Sequence, residues 1–211
     1  MHAHTSRRLA GLLLLAALAT PAALAAQADR AGSADPSNTR GFFQNIRTGG
    51  YGIGFKGDRD GSGLGGGVRL GYGFSDRVTV FAGIEGARIS DGDGFEGLPE
   101  GDDYGLLHLD LGVRVHFRND ARLLPFLEGG LNVVGLWFDD IEDREATYGG
   151  ASVTLGGGLL WFMTPRVALE TSALFNAGEL MEAEIGGVDQ DAAIGMAGVR
   201  LQVGLSFYPN R

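Results

Sequence analysis

The sequence predicts an all-β chain: an eight-stranded antiparallel up-and-down transmembrane β-barrel, preceded by a cleaved signal peptide. Three observations predict it. Apolar residues alternate with polar residues or glycine in eight separate segments, the period of a strand with one apolar face. The connections between those segments are short and long by turns. Beyond the N-terminus no stretch is apolar for long enough to be a membrane helix, so a spanning chain must satisfy its backbone as a closed barrel.

At the N-terminus, Arg7 and Arg8 precede a short apolar run from Leu9 to Ala19. Pro21 breaks the run and small residues follow. This is the layout of a secretory signal peptide over residues 1–25, cut at Ala23-Leu24-Ala25. A second site of the same type, Ala26-Gln27-Ala28, allows the cut to fall as late as residue 28. The run is shorter than the ~20 residues of a spanning anchor. The chain has no cysteine, which excludes a lipoprotein anchor, a disulfide framework and a thiolate zinc site. Cleavage removes two arginines and no acid, taking the net charge from −9 to −11. An acidic chain with no basic patch in its sequence argues against nucleic acid as a partner. Residues 26–40 carry almost no large apolar side chain and read as a disordered lead segment, which leaves 41–211 for the barrel.

The strands follow in order. Tyr51, Ile53 and Phe55 alternate with glycines and Lys56. Val68, Leu70, Tyr72 and Phe74 alternate with Gly67, Arg69, Gly71 and Gly73. Val78, Val80, Ala82 and Ile84 alternate with Thr79, Phe81, Gly83 and Glu85, where Phe81 breaks the polar face. The fourth segment is the clearest: Leu107, Leu109, Leu111, Val113, Val115 and Phe117 share one face, and His108, Asp110, Gly112, Arg114 and His116 the other. Leu127, Leu131, Val133 and Trp137 oppose Glu128, Gly130 and Asn132. Val153, Leu155, Leu159 and Trp161 oppose Ser152, Thr154, Gly156 and Gly158. Val167, Leu169, Thr171, Ala173 and Phe175 oppose Ala168, Glu170, Ser172 and Asn176. Val199, Leu201, Val203, Leu205 and Phe207 oppose Arg200, Gln202, Gly204 and Ser206. The best of these reach the ~9–11 residues of a tilted transmembrane strand.

Ser75-Asp76-Arg77, Arg118 to Arg122 and Met163 to Arg166 read as short turns. Ser90 to Asp103, Asp139 to Gly150 and Gly178 to Asp191 read as long loops, the first two markedly acidic, and Gly57 to Ser62 as a medium one. Short turns on one side and long loops on the other are the wiring of a membrane barrel, with the termini on the turn side. Phe74, Phe117, Trp161 and Phe207 near the short turns, and Tyr104, Trp137 and Phe175 near the long loops, read as two aromatic girdles.

The paired strands LGYGFSDRVTVFAGIEG, the strand LLPFLEGGLNV and the closing strand VRLQVGLSFYP resemble the small eight-stranded outer-membrane proteins of the OmpA/OmpX type, often labelled porin-like barrel domains. The resemblance covers roughly Gly41 to Tyr208. It implies a place in the cell outer membrane, contact with its lipid and lipopolysaccharide, and recognition of the terminal strand by the barrel-assembly machinery. Gln202, Gly204 and Phe207 fit that terminal signal, and Tyr208-Pro209-Asn210-Arg211 runs past it.

An eight-stranded barrel has little more room inside than its own side chains fill. The polar faces therefore predict a packed polar plug of Arg69, Glu85, His108, Asp110, Arg114, His116, Glu128, Glu170 and Arg200. Its centre is an Arg–Glu network linking Arg69, Arg114 and Arg200 to Glu85, Glu128 and Glu170, because buried charges must pair and arginine binds carboxylates bidentately. His108 and Asp110 also admit a base–carboxylate pair, but no nucleophile motif stands beside them. Gly61-x-Gly63-x-x-Gly66 is followed by strand alternation where a dinucleotide site needs a helix. Asp58-x-Asp60-x-Ser62 lacks the distal glutamate of a calcium loop. The loop acids Asp91, Asp93, Glu96, Asp102 and Asp103 read as solvated charge, with weak divalent-cation binding as the alternative. The reading is a structural or surface-interaction barrel, with no enzyme activity, cofactor or metal. The alternatives are a narrow channel for small solutes, a soluble lipocalin-like barrel with its apolar face inward, and a barrel enzyme acting on lipid A.

Overall fold

The computed structural model describes residues 39–56, 59–91, 103–117, 122–141, 144–185 and 187–209. Eight strands run in chain order: β1 Gly41–Phe55, β2 Arg59–Gly73, β3 Val78–Asp91, β4 Asp103–His116, β5 Leu123–Ile141, β6 Arg144–Thr164, β7 Val167–Ile185 and β8 Val188–Phe207. Each pairs antiparallel with the next, and β1 also pairs with β8, so the sheet closes on itself. Closure removes both sheet edges, which is what a lipid environment requires of a β-structure.

The register sets the barrel's shape. The hydrogen-bonded row from Ile46 passes through Val68, Ile84, Leu109, Val133, Ala151, Glu179 and Gly195. It returns to β1 at Lys56, whose amide donates to the Gly195 carbonyl. From position 46 to position 56 the stagger is ten residues, which tilts the strands by roughly 35–45°. At that tilt the 14 or 15 residues of β1 to β4 cover more than the ~25 Å apolar band of such barrels.

β5 to β8 are longer, at 19 to 21 residues, and rise about 13 Å further at the loop end. This corrects the sequence reading. Much of Asp139 to Gly150 and Gly178 to Asp191, which read as loops in the sequence, continues the β5–β6 and β7–β8 hairpins. Polar residues there lost the alternation of hydropathy without losing the ladder, because above the membrane neither face needs to be apolar. Likewise Ser62 lies inside β2. The barrel side begins slightly earlier than residue 41. Thr39 is buried, its hydroxyl donates to the Asp76 carbonyl at 3.0 Å, and Arg40 pairs with Asp76 at 3.2 Å. Gly41, at φ 88°, then turns the chain into β1.

The apolar face is outside. Leu70, Leu111, Val113, Leu127, Leu131, Val153, Leu155, Leu201 and Val203 are all exposed, while the charged residues opposite them are buried. A lipocalin has the reverse arrangement, so the soluble ligand-binding alternative is set aside. The glycine pattern Gly61, Gly63 and Gly66 lies on β2 with no helix following, and Asp60 and Ser62 sit in the same strand. Asp58 and the signal-peptide residues lie outside the described residues.

Candidate functional site

The interior is built in three layers. At the turn end Phe43, Phe81, Leu124, Phe126, Leu160, Phe162, Ala168 and Tyr208 form an apolar cluster. Tyr208 stacks on Phe43, with ring centroids 5.8 Å apart, and lies 5.4 Å from Phe162. At the loop end a larger cluster gathers Tyr51, Ile53, Phe55, Ile89, Tyr104, Leu106, Val134, Leu136, Phe138, Tyr148, Leu180 and Met196. Between the two lies a layer of charges. The expectation of a polar plug throughout is therefore corrected: polar residues fill only the middle. Two assignments change with it. Tyr51, Ile53 and Phe55 point inward, because they share the parity of Asn45 and Arg47 on β1. Tyr104 is not part of a girdle. Only 2% of it is exposed and its ring lies 5.0 Å from Phe138 inside the barrel, since it shares the inward parity of His108 and Asp110.

Four arginines and four carboxylates are buried in the middle layer among the described residues: Arg47, Arg69, Arg114 and Arg200 against Glu85, Asp110, Glu128 and Glu170. The formal charges cancel. Arg114 joins two acids, reaching Glu128 Oε2 from Nε at 2.8 Å and from Nη2 at 2.7 Å, and Glu170 from Nη1 at 2.9 Å and Nη2 at 2.7 Å. Arg69 Nη1 donates to both oxygens of Glu128, at 2.8 and 2.9 Å. Arg47 donates to Glu170 at 2.7 Å, to Gln202 at 2.8 Å and to Asn45 at 2.7 Å. Arg200 donates to Glu85 at 2.8 Å and Asp110 at 3.0 Å. The residues come from seven of the eight strands, all but β6, so each pair fastens one part of the wall to another.

Smaller polar groups complete the layer. Gln202 donates to Glu85 at 2.7 Å and to the Tyr51 hydroxyl at 3.1 Å. Asn132 donates to Asp110 and accepts from Thr154 and from Ser152. Ser206 donates to Glu170 at 3.0 Å. Phe81 has a role that the alternation pattern hid. Its ring lies under the Arg69 guanidinium, 3.8 Å from carbon to centroid, as Phe126 lies under Arg114 at 3.8 Å. A cation over an aromatic face is stabilised by the ring quadrupole, and this contact ties the apolar floor to the charged layer.

His108 and His116 are buried and apart from any reactive arrangement. His108 has no hydrogen-bond partner at Nδ1, and Asp110 is engaged by Arg200 and Asn132. His116 sits edge-on to Phe126 and lies 3.4 Å from the Thr79 hydroxyl. No group of three or more metal-binding side chains occurs among the described residues. A cavity of about 10 Å³ lies beside Arg69, Asp110, Glu128 and Arg200.

On the outer wall, Phe74, Phe117, Trp161, Trp137 and Phe175 are exposed and Phe207 is half-buried. Trp137 lies against Gly105 on the neighbouring strand, where any Cβ would strike its ring. At the loop end a solvent-open cleft of about 520 Å³ is lined by Glu182, Glu184, Asp189 and Asp191. Of the predicted loop acids, Asp103 pairs with Arg88 at 2.9 Å; Asp93, Glu96 and Asp102 lie outside the described residues.

No family model and no curated protein matches the chain. Solved structures do. Neisserial surface protein A aligns with a TM-score of 0.59 at 12% identity, over 79% of this chain and 96% of that one. The chain has the fold of a small outer-membrane β-barrel. AlkL, an outer membrane protein solved in lipid bilayers, aligns at 0.53 with 16% identity, over 84% and 93% of the two chains. OprG, an outer membrane protein of Pseudomonas aeruginosa, aligns at 0.51 with 14% identity, over 83% and 100%.

The sequence reading missed Arg47 and Asn45. They lie in FFQNIRTGG, ahead of the clear alternation that begins at Tyr51. The signal was there: Phe43, Asn45, Arg47, Gly49 and Tyr51 hold one parity, but an apolar start and a glycine end masked it.

Proposed function

We propose that this protein is an integral outer-membrane barrel with a structural or surface-interaction role, its turn end in the periplasm and its loop end at the cell surface. The observation that carries this is the sealed interior. A charge-balanced layer of Arg47, Arg69, Arg114 and Arg200 with their four acids is closed above and below by apolar clusters. A solute crossing the barrel would have to part both clusters and strip ion pairs in a low-dielectric space.

Catalysis is disfavoured by the same packing. Asp110 is neutralised by Arg200, and His108 lies under the loop-end cluster away from any external substrate. What remains accessible is the wall, which suits lipid, and the projecting acidic hairpins of β5 to β8, which offer a surface for partners. Conductance of the refolded protein in planar bilayers tests the reading: a sealed barrel gives no discrete openings. Steps of reproducible size would replace it with the narrow-channel alternative.

A further inference from the structure

Each strand that runs from the turn end to the loop end is preceded by an arginine. Arg40 stands immediately before β1, Arg77 before β3, Arg122 before β5 and Arg166 before β7. Arginine and lysine together make up only 17 of 211 residues, so four at equivalent positions exceed what composition explains. The backbone at three of them is fixed in one way. The carbonyl of Arg77 accepts from the His116 amide at 2.8 Å, that of Arg122 from Phe162 at 2.8 Å, and that of Arg166 from Tyr208 at 2.9 Å. In each case the bond links the arginine to the end of the neighbouring strand that returns to the turn end, or, for Tyr208, to the residue that follows it. The fourth, Arg40, is held by Asp76.

The four arginines thus stand at equivalent positions on alternate strands, around the turn end of the barrel. Arg40, Arg77 and Arg122 are exposed and Arg166 is half-exposed. Directly beside them on the wall lie the aromatic residues Phe74, Phe117, Trp161 and Phe207, which mark where hydrocarbon gives way to headgroups. Most of the acids among the described residues stand away from it. The middle layer is neutral, and Glu179, Glu182, Glu184, Asp189 and Asp191 stand at the loop end. Asp76 pairs with Arg40 in the ring; by sequence the residue before β1 and the three turns together carry five arginines, at 40, 77, 118, 122 and 166, against two acids, at 76 and 120. No basic patch is visible along the sequence because its members are 37, 45 and 44 residues apart; the barrel assembles it.

We infer that this ring is a binding site for anionic phospholipid headgroups in the leaflet at the turn end. A guanidinium matches a phosphate bidentately, and a ring of net positive charge at headgroup depth favours lipids whose headgroup carries net negative charge. Arginines on alternate strands leave a gap at each intervening strand, so separate lipids, rather than one multivalent ligand, occupy the ring. The inference rests on the reading that the apolar wall spans a bilayer.

The test uses the full mature chain refolded into nanodiscs of phosphatidylcholine with a minor share of phosphatidylglycerol. Spin-labelled phosphatidylglycerol and phosphatidylcholine are compared for the motionally restricted, protein-bound component. The wild-type protein is expected to prefer phosphatidylglycerol, to lose that preference at high salt, and to lose about five-fold in site affinity for each arginine removed. Arg77→Gln/Arg122→Gln carries the second comparison, with heat-dependent gel mobility as proof of folding. Glu182→Gln/Glu184→Gln at the other end is expected to leave the preference unchanged. A wild-type barrel without preference, or a preference that survives high salt, overturns the inference, and neither measurement depends on a variant folding. Failure of the protein to enter nanodiscs at all would instead refute the spanning reading.

Discussion

Removing the carboxylate of Glu128 isolates the energetics of the charged layer. In the wild-type barrel this group receives four hydrogen bonds, two from Arg69 and two from Arg114. Glu128→Gln leaves the volume nearly unchanged but strands Arg69, whose other carboxylates, Glu85 and Asp110, are each 3.9 Å away. Breaking a buried pair by deleting one partner costs about 3–5 kcal/mol, because the surviving charge stays buried without compensation. At about 1.4 kcal/mol per decade, the unfolding constant should rise by roughly two to four orders of magnitude. Arg114→Met creates the opposite imbalance, leaving three arginines against four acids. The double variant restores the balance, so its cost should fall short of the sum of the singles by about 1–3 kcal/mol. Urea unfolding in lipid vesicles, followed by tryptophan emission and by heat-dependent gel mobility, measures all four corners of the cycle. Single variants within about 0.5 kcal/mol of wild type, or strictly additive costs, would refute the claim that paired charges hold the interior.

Other consequences follow from particular contacts. Leu111→Arg, in the middle of β4 and 64% exposed, should destabilise the membrane-inserted barrel by about 2–4 kcal/mol, and an effect near zero in vesicle-based unfolding would place that face in water. Phe81→Leu removes the ring beneath Arg69 and should cost about 1–2 kcal/mol in the same assay, more than its loss of apolar area against solvent would suggest. Gly71→Ala drives a Cβ into the Phe43 ring and should cost about 1–3 kcal/mol; full stability would show that the turn-end cluster is loosely packed. The two native tryptophans, Trp137 and Trp161, are 40% and 52% exposed on the outer wall. In single-tryptophan variants both should be quenched by brominated lipids, more strongly by bromines near the headgroup than by those at the chain ends, and quenching by an aqueous ion alone would contradict the girdle assignment.

How much of this could be read in advance depended on parity and on where the membrane ends. In β4 from Leu107 onward and in β8 from Val199 to Phe207 every second residue is apolar, so strand, face and charged members (Asp110, Arg114, Arg200) are legible from the chain alone. In β1 the inward face changes from Phe43 through Asn45 and Arg47 to Tyr51, Ile53 and Phe55. Hydropathy there cannot name the inside, since the interior itself is apolar at both ends. Tyr104 departs from its expected place for the same reason. Its nearness to a loop suggested a girdle, while its register with His108 decides that it points inward. Beyond the bilayer, both faces of the β5 to β8 extensions meet water or each other, and the alternation that announces a strand disappears.

The amino-acid order by itself determined that eight two-faced strands alternate with short and long connections, because a strand's side chains leave it on opposite sides whatever surrounds it. Only the closed barrel decided which charges meet. The ten-residue stagger brings Arg47 of β1 to Glu170 of β7, and Arg69 of β2 to Glu128 of β5. It also gathers four arginines spaced far apart along the chain into one ring. Pairing across a barrel depends on the stagger accumulated over all eight strands, a sum that no single segment of the sequence contains.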